Sequence, residues 1–162
     1  MACRFPGQAS DLTGYRELLE GGEVGIVPVP QERWDSAKYF DPNPRAHGKS
    51  YSRHGGFLRE PLYGFDAAFF GISPNEAWPM DPAQRMLMEL AWHALEDASI
   101  PAARLAGSNT GVFIGLSTNE YAIEQARLGS LRDLSPYHGT GLASSFGAGR
   151  ISHTFGLEGP CV

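Results

Sequence analysis

The sequence predicts an α/β fold, and three neighbouring stretches carry that prediction. "MDPAQRMLMELAWHALEDA" reads as a capped amphipathic helix, "TGVFIGLS" as a short continuous apolar run suited to a strand buried on both faces, and Ser117 with Glu120 as the opening of another helix. Helix, buried strand and helix in succession is an α/β pattern. With 162 residues, 42% of them hydrophobic and 19% charged, the chain has the profile of one globular domain with a sizeable core.

Taken in order, "SDLTGYRELLEGG" predicts a short helix: Asp11 can cap it, Leu12, Tyr15, Leu18 and Leu19 share a face, and Gly21 and Gly22 end it. Glu23 to Glu60 is rich in proline, glycine and turn pairs, and its rings Trp34, Tyr39, Phe40, Tyr51 and Phe57 predict an ordered loop pinned by buried aromatics. The next helix starts at Pro82, with Asp81 as cap and Gln84 completing a D-x-x-Q box. Ala83, Met86, Leu87, Leu90, Ala91, Ala94, Leu95 and Ala98 form its apolar stripe, and Arg85, Glu89, His93 and Glu96 its wet face. This helix, Pro82 to Ala98, should be the most buried one, with Thr110 to Leu116 a central strand and a further helix running through Leu128. The core should include Phe69, Phe70, Ile72, Leu87, Leu90, Ala91, Leu95, Phe113 and Ile114. A final helix is expected from about Leu142 to Phe155. Gly147 and Gly149 inside it each cost about 1 kcal/mol relative to alanine. Close approach of another backbone, from the same chain or from a partner, along the small residues Ser144, Gly147, Ala148 and Ser152 would compensate.

Composition limits the function classes. No apolar run approaches a membrane span, the N-terminus lacks a signal-like segment, and a cytoplasmic setting follows by default. Cys3 and Cys161 stand far apart without metal-ligand spacing, so no metal site and no disulfide framework is expected, and both read as buried thiols. A net charge of -5 argues against a general nucleic-acid binder. The one basic concentration, Arg45, His47, Lys49, Arg53, His54 and Arg59, could receive a phosphate or an acidic partner, although a solvated loop is the preferred reading. "GTGLAS" lacks the preceding strand of a dinucleotide fingerprint. In "GLSTN", Asn119 replaces the second glycine of a nucleophile elbow, which leaves Ser117 as a helix cap. Glu89 and His93 read as a solvent-exposed pair. Tyr121, Tyr137 and His138 could line a pocket or plug the core.

Taken together, "MACRFPG", "RHGGFL", "FDAAFFGISPNEAWPMDPAQRMLMELAWHALEDA", "TGVFIGLS" and "GAGRISHTFGLEGPCV" resemble the N-terminal part of the beta-ketoacyl synthase (ketosynthase) domains of modular polyketide synthases and type I fatty-acid synthases. The resemblance spans essentially the whole chain. It implies a thiolase-like fold, of which residues 1–162 would hold most of the N-terminal half only, truncated at both ends. It also implies a homodimer that condenses acyl and malonyl units carried on the phosphopantetheine of acyl carrier protein, with no directly bound cofactor, metal, nucleic acid or membrane.

In such synthases a cysteine at a helix N-terminus accepts the acyl group and two later histidines assist decarboxylation. The resemblance places that cysteine in a D-T-A-C-S-S motif just beyond "GLEGP", and the motif is absent from these 162 residues. Cys161 falls at a variable position before it and is expected to be a buried strand cysteine. "YHGTG" corresponds to a glycine-threonine turn rather than to the family's downstream H-G-T-G, so neither His138 nor Cys161 inherits a catalytic role. Tyr137, His138, Gly147 and Gly149 are implied near the acyl pocket or the dimer contact. Two functions follow: part of a condensing acyltransferase or, as the alternative, a catalytically silent interaction or dimerisation module related to ketosynthases.

Overall fold

The computed structural model describes residues 1–117, 120–128 and 135–162. In chain order the elements are α1 (Leu12–Glu20), β1 (Ile26–Pro28), α2 (Ser36–Tyr39), β2 (His54–Gly56), α3 (Pro74–Ala77), α4 (Pro82–Asp97), a 3₁₀ turn (Ala102–Arg104), α5 (Glu120–Leu128), α6 (Tyr137–Leu142) and α7 (Phe146–Phe155). The chain divides into two compact units, Ala2–Leu62 and Tyr63–Val162, Met1 grouping with the second.

In the first unit, α1 forms as its sequence dictates. Asp11 accepts a hydrogen bond from the Gly14 amide at 2.8 Å, and Gly21 caps the other end. Beyond it, β1 and β2 pair antiparallel in the register Ile26↔Gly56, Val27↔Gly55, Pro28↔His54, a ladder that the proline- and glycine-rich sequence conceals. The aromatic pins are a correction: Trp34, Tyr39 and Tyr51 are exposed, and Phe40 and Phe57 are half-buried. Phe40 instead carries the Arg53 guanidinium over its face, 4.0 Å from the ring centroid, and Trp34 meets the edge of Phe57.

The second unit is built on α4 and α7, which pack against each other. Its core is Ile72, Met80, Met88, Ile151 and Phe155, with Phe70, Leu87, Ala91, Leu95 and Ile114 half-buried against it. The Asp81 carboxylate accepts from the Ala83 amide at 2.8 Å, and Pro82 occupies the first turn as predicted. Four expectations for this unit change. The most buried helix is α7, which buries Gly147, Ala148, Ile151, Ser152 and Phe155, whereas α4 buries Gln84, Arg85 and Met88. Arg85 does not face water: it is 8% exposed and donates to the carbonyls of Met80, Trp78 and Tyr63 at 2.9, 3.2 and 3.3 Å, so a charge at a wet-face position becomes the tie between chain segments. Phe69 and Phe113 are 54% and 69% exposed, and Leu90 is half-buried. The expected final helix is broken, because Ala143 is extended (φ -79°, ψ 126°) and separates α6 from α7.

Among the described residues, no backbone closely approaches Gly147 or Gly149. A β-carbon on either would come no nearer than 3.6 Å to the Leu116 side chain or 3.9 Å to Cys161 Sγ. The tight approach lies at Gly141, where an added β-carbon would stand 2.8 Å from the Pro79 carbonyl oxygen, and the Gly141 carbonyl accepts from the Asp81 amide at 2.9 Å.

The segment Thr110–Leu116 is extended but is not a central strand. Val112 pairs in parallel with Cys161, with Val112 N–H to Pro160 O and Ile114 N–H to Val162 O both at 2.8 Å. Val112, Ile114 and Leu116 face inward, half-buried, while Gly111, Phe113 and Gly115 are exposed. One face alone is covered by the described residues. Parallel pairing across an intervening helical segment is the α/β connection that the sequence predicts. Cys161 is exposed and Cys3 half-buried, which corrects the buried assignment of both. The expected capping box of Ser117 and Glu120 spans residues 118 and 119, which lie outside the described residues.

Candidate functional site

The second unit carries a cleft of about 760 Å³. Phe70, Ile72, Pro136, Tyr137 and Phe146 supply apolar surface, and Glu76, Thr140, Arg150, His153 and Thr154 supply polar groups. Such a mixture of apolar wall and few polar groups is the general character of small-molecule sites. Each lining element is placed for a local reason. Ser73 caps α3 through its hydroxyl, which receives the Glu76 amide at 3.3 Å and fixes that residue at the rim. The left-handed Gly156 (φ 65°) ends α7, so Arg150 and His153 stand one turn apart along the wall.

A polar chain runs from Glu76 and Arg150 of the cleft lining to Gln84 behind it. Arg150 Nη1 donates to Glu76 Oε1 at 2.5 Å, with the arginine side chain 9% exposed, and Arg150 Nε donates to Gln84 Oε1 at 3.3 Å. Gln84, 1% exposed, then donates through Nε2 to the Ala143 carbonyl at 3.0 Å, with a longer contact of 3.5 Å to the Thr140 carbonyl. Sequence reasoning assigns Gln84 to a capping box, and the structure corrects this: its amide is spent on the α6–α7 break. The same reasoning overlooks Glu76 and Arg150, although both sit inside the quoted motifs "ISPNEA" and "GRIS".

Of the residues expected near a pocket, Tyr137 and Gly149 line the cleft. His138 turns elsewhere: its Nδ1 lies 3.0 Å from both the amide and the hydroxyl of Ser135, and its ring meets the edge of Trp78 at 5.8 Å. Gly147 faces Leu116 and Leu87. Tyr121 donates to the Trp78 carbonyl at 3.4 Å. In the basic cluster, Lys49 donates to the Lys38 carbonyl at 2.7 Å and Arg53 lies on Phe40, so two of its charges are held locally. Burial pushes the Asp81 carboxyl up, against the opposing pull of the Ala83 amide and the Arg85 charge. Among the described residues, no group of His, Cys, Asp or Glu is arranged to hold a metal ion, and no helix is long and apolar enough to cross a membrane.

The chain is similar over its whole length to polyketide synthases. It is 48% identical over 164 residues to the pikromycin polyketide synthase component PikAII of Streptomyces venezuelae, and 43% identical over 162 residues to a phenolphthiocerol/phthiocerol polyketide synthase of Mycobacterium tuberculosis. It spans 100% of itself in each match, but 4% and 10% of those relatives' lengths. Among solved structures, the oxazolomycin ketosynthase domain of Streptomyces albus superposes with a TM-score of 0.83 at 35% identity, over 98% of this chain and 27% of that one. The ketosynthase from module 6 of the bacillaene synthase of Bacillus subtilis gives 0.82 at 32%, over 98% and 24%. These neighbours establish the thiolase-like fold class for the portion present. With the sequence profile described as "Beta-ketoacyl synthase, N-terminal domain" matching residues 1–162, the chain belongs to the beta-ketoacyl synthase family, within its N-terminal domain.

Proposed function

We propose that this chain forms part of a polyketide-type ketosynthase, one that joins an acyl group to a malonyl-derived unit with loss of carbon dioxide. The observation that carries the reading is the family match over all 162 residues. In the proposed reaction the acyl group is held as a thioester on a cysteine. The malonyl thioester loses CO₂, and the resulting enolate attacks the acyl carbonyl and expels the cysteine thiolate. Both units travel on the phosphopantetheine of acyl carrier protein, and the working form is a homodimer. The residues described here supply a binding wall and not the nucleophile. Tyr137, Phe70 and Ile72 offer apolar surface to an acyl chain, and Thr140 and Arg150 add polar groups to the lining. The likeness is to ketosynthases and polyketide synthases throughout, which favours the condensing role over a silent interaction module.

The test joins residues 1–162 to the remaining portion of the oxazolomycin ketosynthase domain and measures condensation of acyl- and malonyl-carrier thioesters. A β-ketoacyl product is expected. A folded chimera that is inactive beside an active parent domain would refute the reading.

A further inference from the structure

We infer that Gln84 is a positioning residue, one that sets where Tyr137 and Thr140 stand on the cleft wall; its bearing on acyl binding rests on the function proposed above. The side chain is fully enclosed and uses both ends of its amide. The oxygen receives Arg150 Nε, itself anchored by Glu76, and the nitrogen is spent on the Ala143 and Thr140 carbonyls. Those two carbonyls sit at the end of α6, where the helix stops and Ala143 turns extended before α7 begins. Backbone bonds also meet at the break, among them the Asp81 amide on the Gly141 carbonyl at 2.9 Å and the Gly147 amide on the Ser144 carbonyl at 3.0 Å. The Ala143 amide reaches the Gly139 carbonyl at 3.3 Å, and the Phe146 amide reaches Ala143 at 3.1 Å. Neither α6 nor α7 has a side-chain cap at its N-terminus. Beside the Asp81 amide, which donates to the Gly141 carbonyl at 2.9 Å, the buried Gln84 amide is therefore a side-chain tie between the helix that carries Tyr137 and Thr140 and the packed pair α4 and α7. A glutamine is suited to this because it presents an acceptor to a cation and a donor to a carbonyl on one planar group.

Hydrogen exchange on the unaltered chain and on Gln84→Met tests this, methionine filling the same space without hydrogen bonds. Removing the Gln84 bond, which leaves the Ala143 carbonyl with the Phe146 amide alone, should speed exchange of the 139–146 amides by at least about fivefold, with the interior of α4 unchanged. Arg150→Lys, which keeps the charge for Glu76 but loses Nε, should produce a smaller change at the same amides. Unchanged exchange at 139–146, or equal acceleration throughout α4 and α7, would overturn the positioning role. Titration with octanoyl-pantetheine adds the functional arm: Gln84→Met should bind this probe at least about fivefold more weakly with the α4 exchange preserved. Equal affinity in the two proteins would also overturn it. If the unaltered chain does not bind the probe, the acyl reading fails while the exchange result still decides the positioning one.

Discussion

Replacing Met88 and Leu90 separately by alanine separates burial from periodicity. Both lie on α4, and both are apolar residues of a helix whose three- and four-residue spacing predicts a core-facing stripe. Met88 has no exposed surface and lies in the central cluster, whereas Leu90 is half-buried and outside it. Truncating a fully buried methionine loses the transfer free energy of its side chain and leaves a cavity that the packed helices cannot close, a loss of about 2–5 kcal/mol. Leucine already half in water forfeits about half of a transfer term of about 1.5–3 kcal/mol and opens to solvent instead of to a void, so about 1 kcal/mol is expected. Urea denaturation followed by circular dichroism at 222 nm, with slopes compared to confirm that both variants unfold the same surface, reads the difference. Equal losses for the two, or a Met88→Ala loss below about 1 kcal/mol, would refute the assignment of the core.

Asp81→Asn tests the raised carboxyl. Because the folded-state value lies above the ordinary 3.8, the native state holds its proton over a range where the unfolded chain has released it, and stability falls as pH rises through that window. Asparagine keeps an acceptor for the Ala83 amide, so its stability should exceed the unaltered chain's increasingly from about pH 4 upward to a plateau; parallel pH curves would contradict this. Gly141→Ala should destabilise by about 1–3 kcal/mol because its β-carbon meets a backbone carbonyl, while Gly139→Ala, with nothing within 4 Å of the new atom, should gain up to about 1 kcal/mol in thermal melts. Incubation with a labelled acyl thioester should leave both cysteines unmodified by mass spectrometry, while iodoacetamide alkylates exposed Cys161 faster than half-buried Cys3. Stoichiometric acylation of Cys161 would reveal chemistry that the family likeness does not imply.

What the sequence made legible is what short-range chemistry decides. Asp11 and Asp81 cap their helices through bonds two or three residues away, Pro82 opens the second of those helices, and these signals survive folding unchanged. The family was legible for a different reason: several motifs fell at matching spacing over the whole chain. Position in the tertiary structure was not. Arg85 has a wet-face address on α4, and its burial comes from carbonyls of Trp78 and of Tyr63, 22 residues away. The α6–α7 break could not be read because its support, Gln84, lies 59 residues from Ala143. Of the site residues, Tyr137 and Gly149 came from the likeness and reach the cleft, whereas Glu76, Arg150 and Gln84 needed coordinates because an ion pair across 74 residues leaves no local pattern.

The parallel pairing of Val112 and Ile114 with residues 160–162 bears on how the chain emerges during synthesis. The partner of this stretch is made later, after α5, α6 and α7. At about 5–20 residues per second, the apolar residues around Phe113 wait about 2–10 s before Cys161 and Val162 exist to cover one edge. For that interval the nascent chain carries an unpaired β-forming segment next to helices that can already form locally. Strand edges in this condition recruit other chains. Translation speed over residues 117–162 is therefore a determinant of yield that equilibrium stability does not capture: slow codons there should increase aggregated product, and fast ones reduce it, with the amino-acid sequence unaltered.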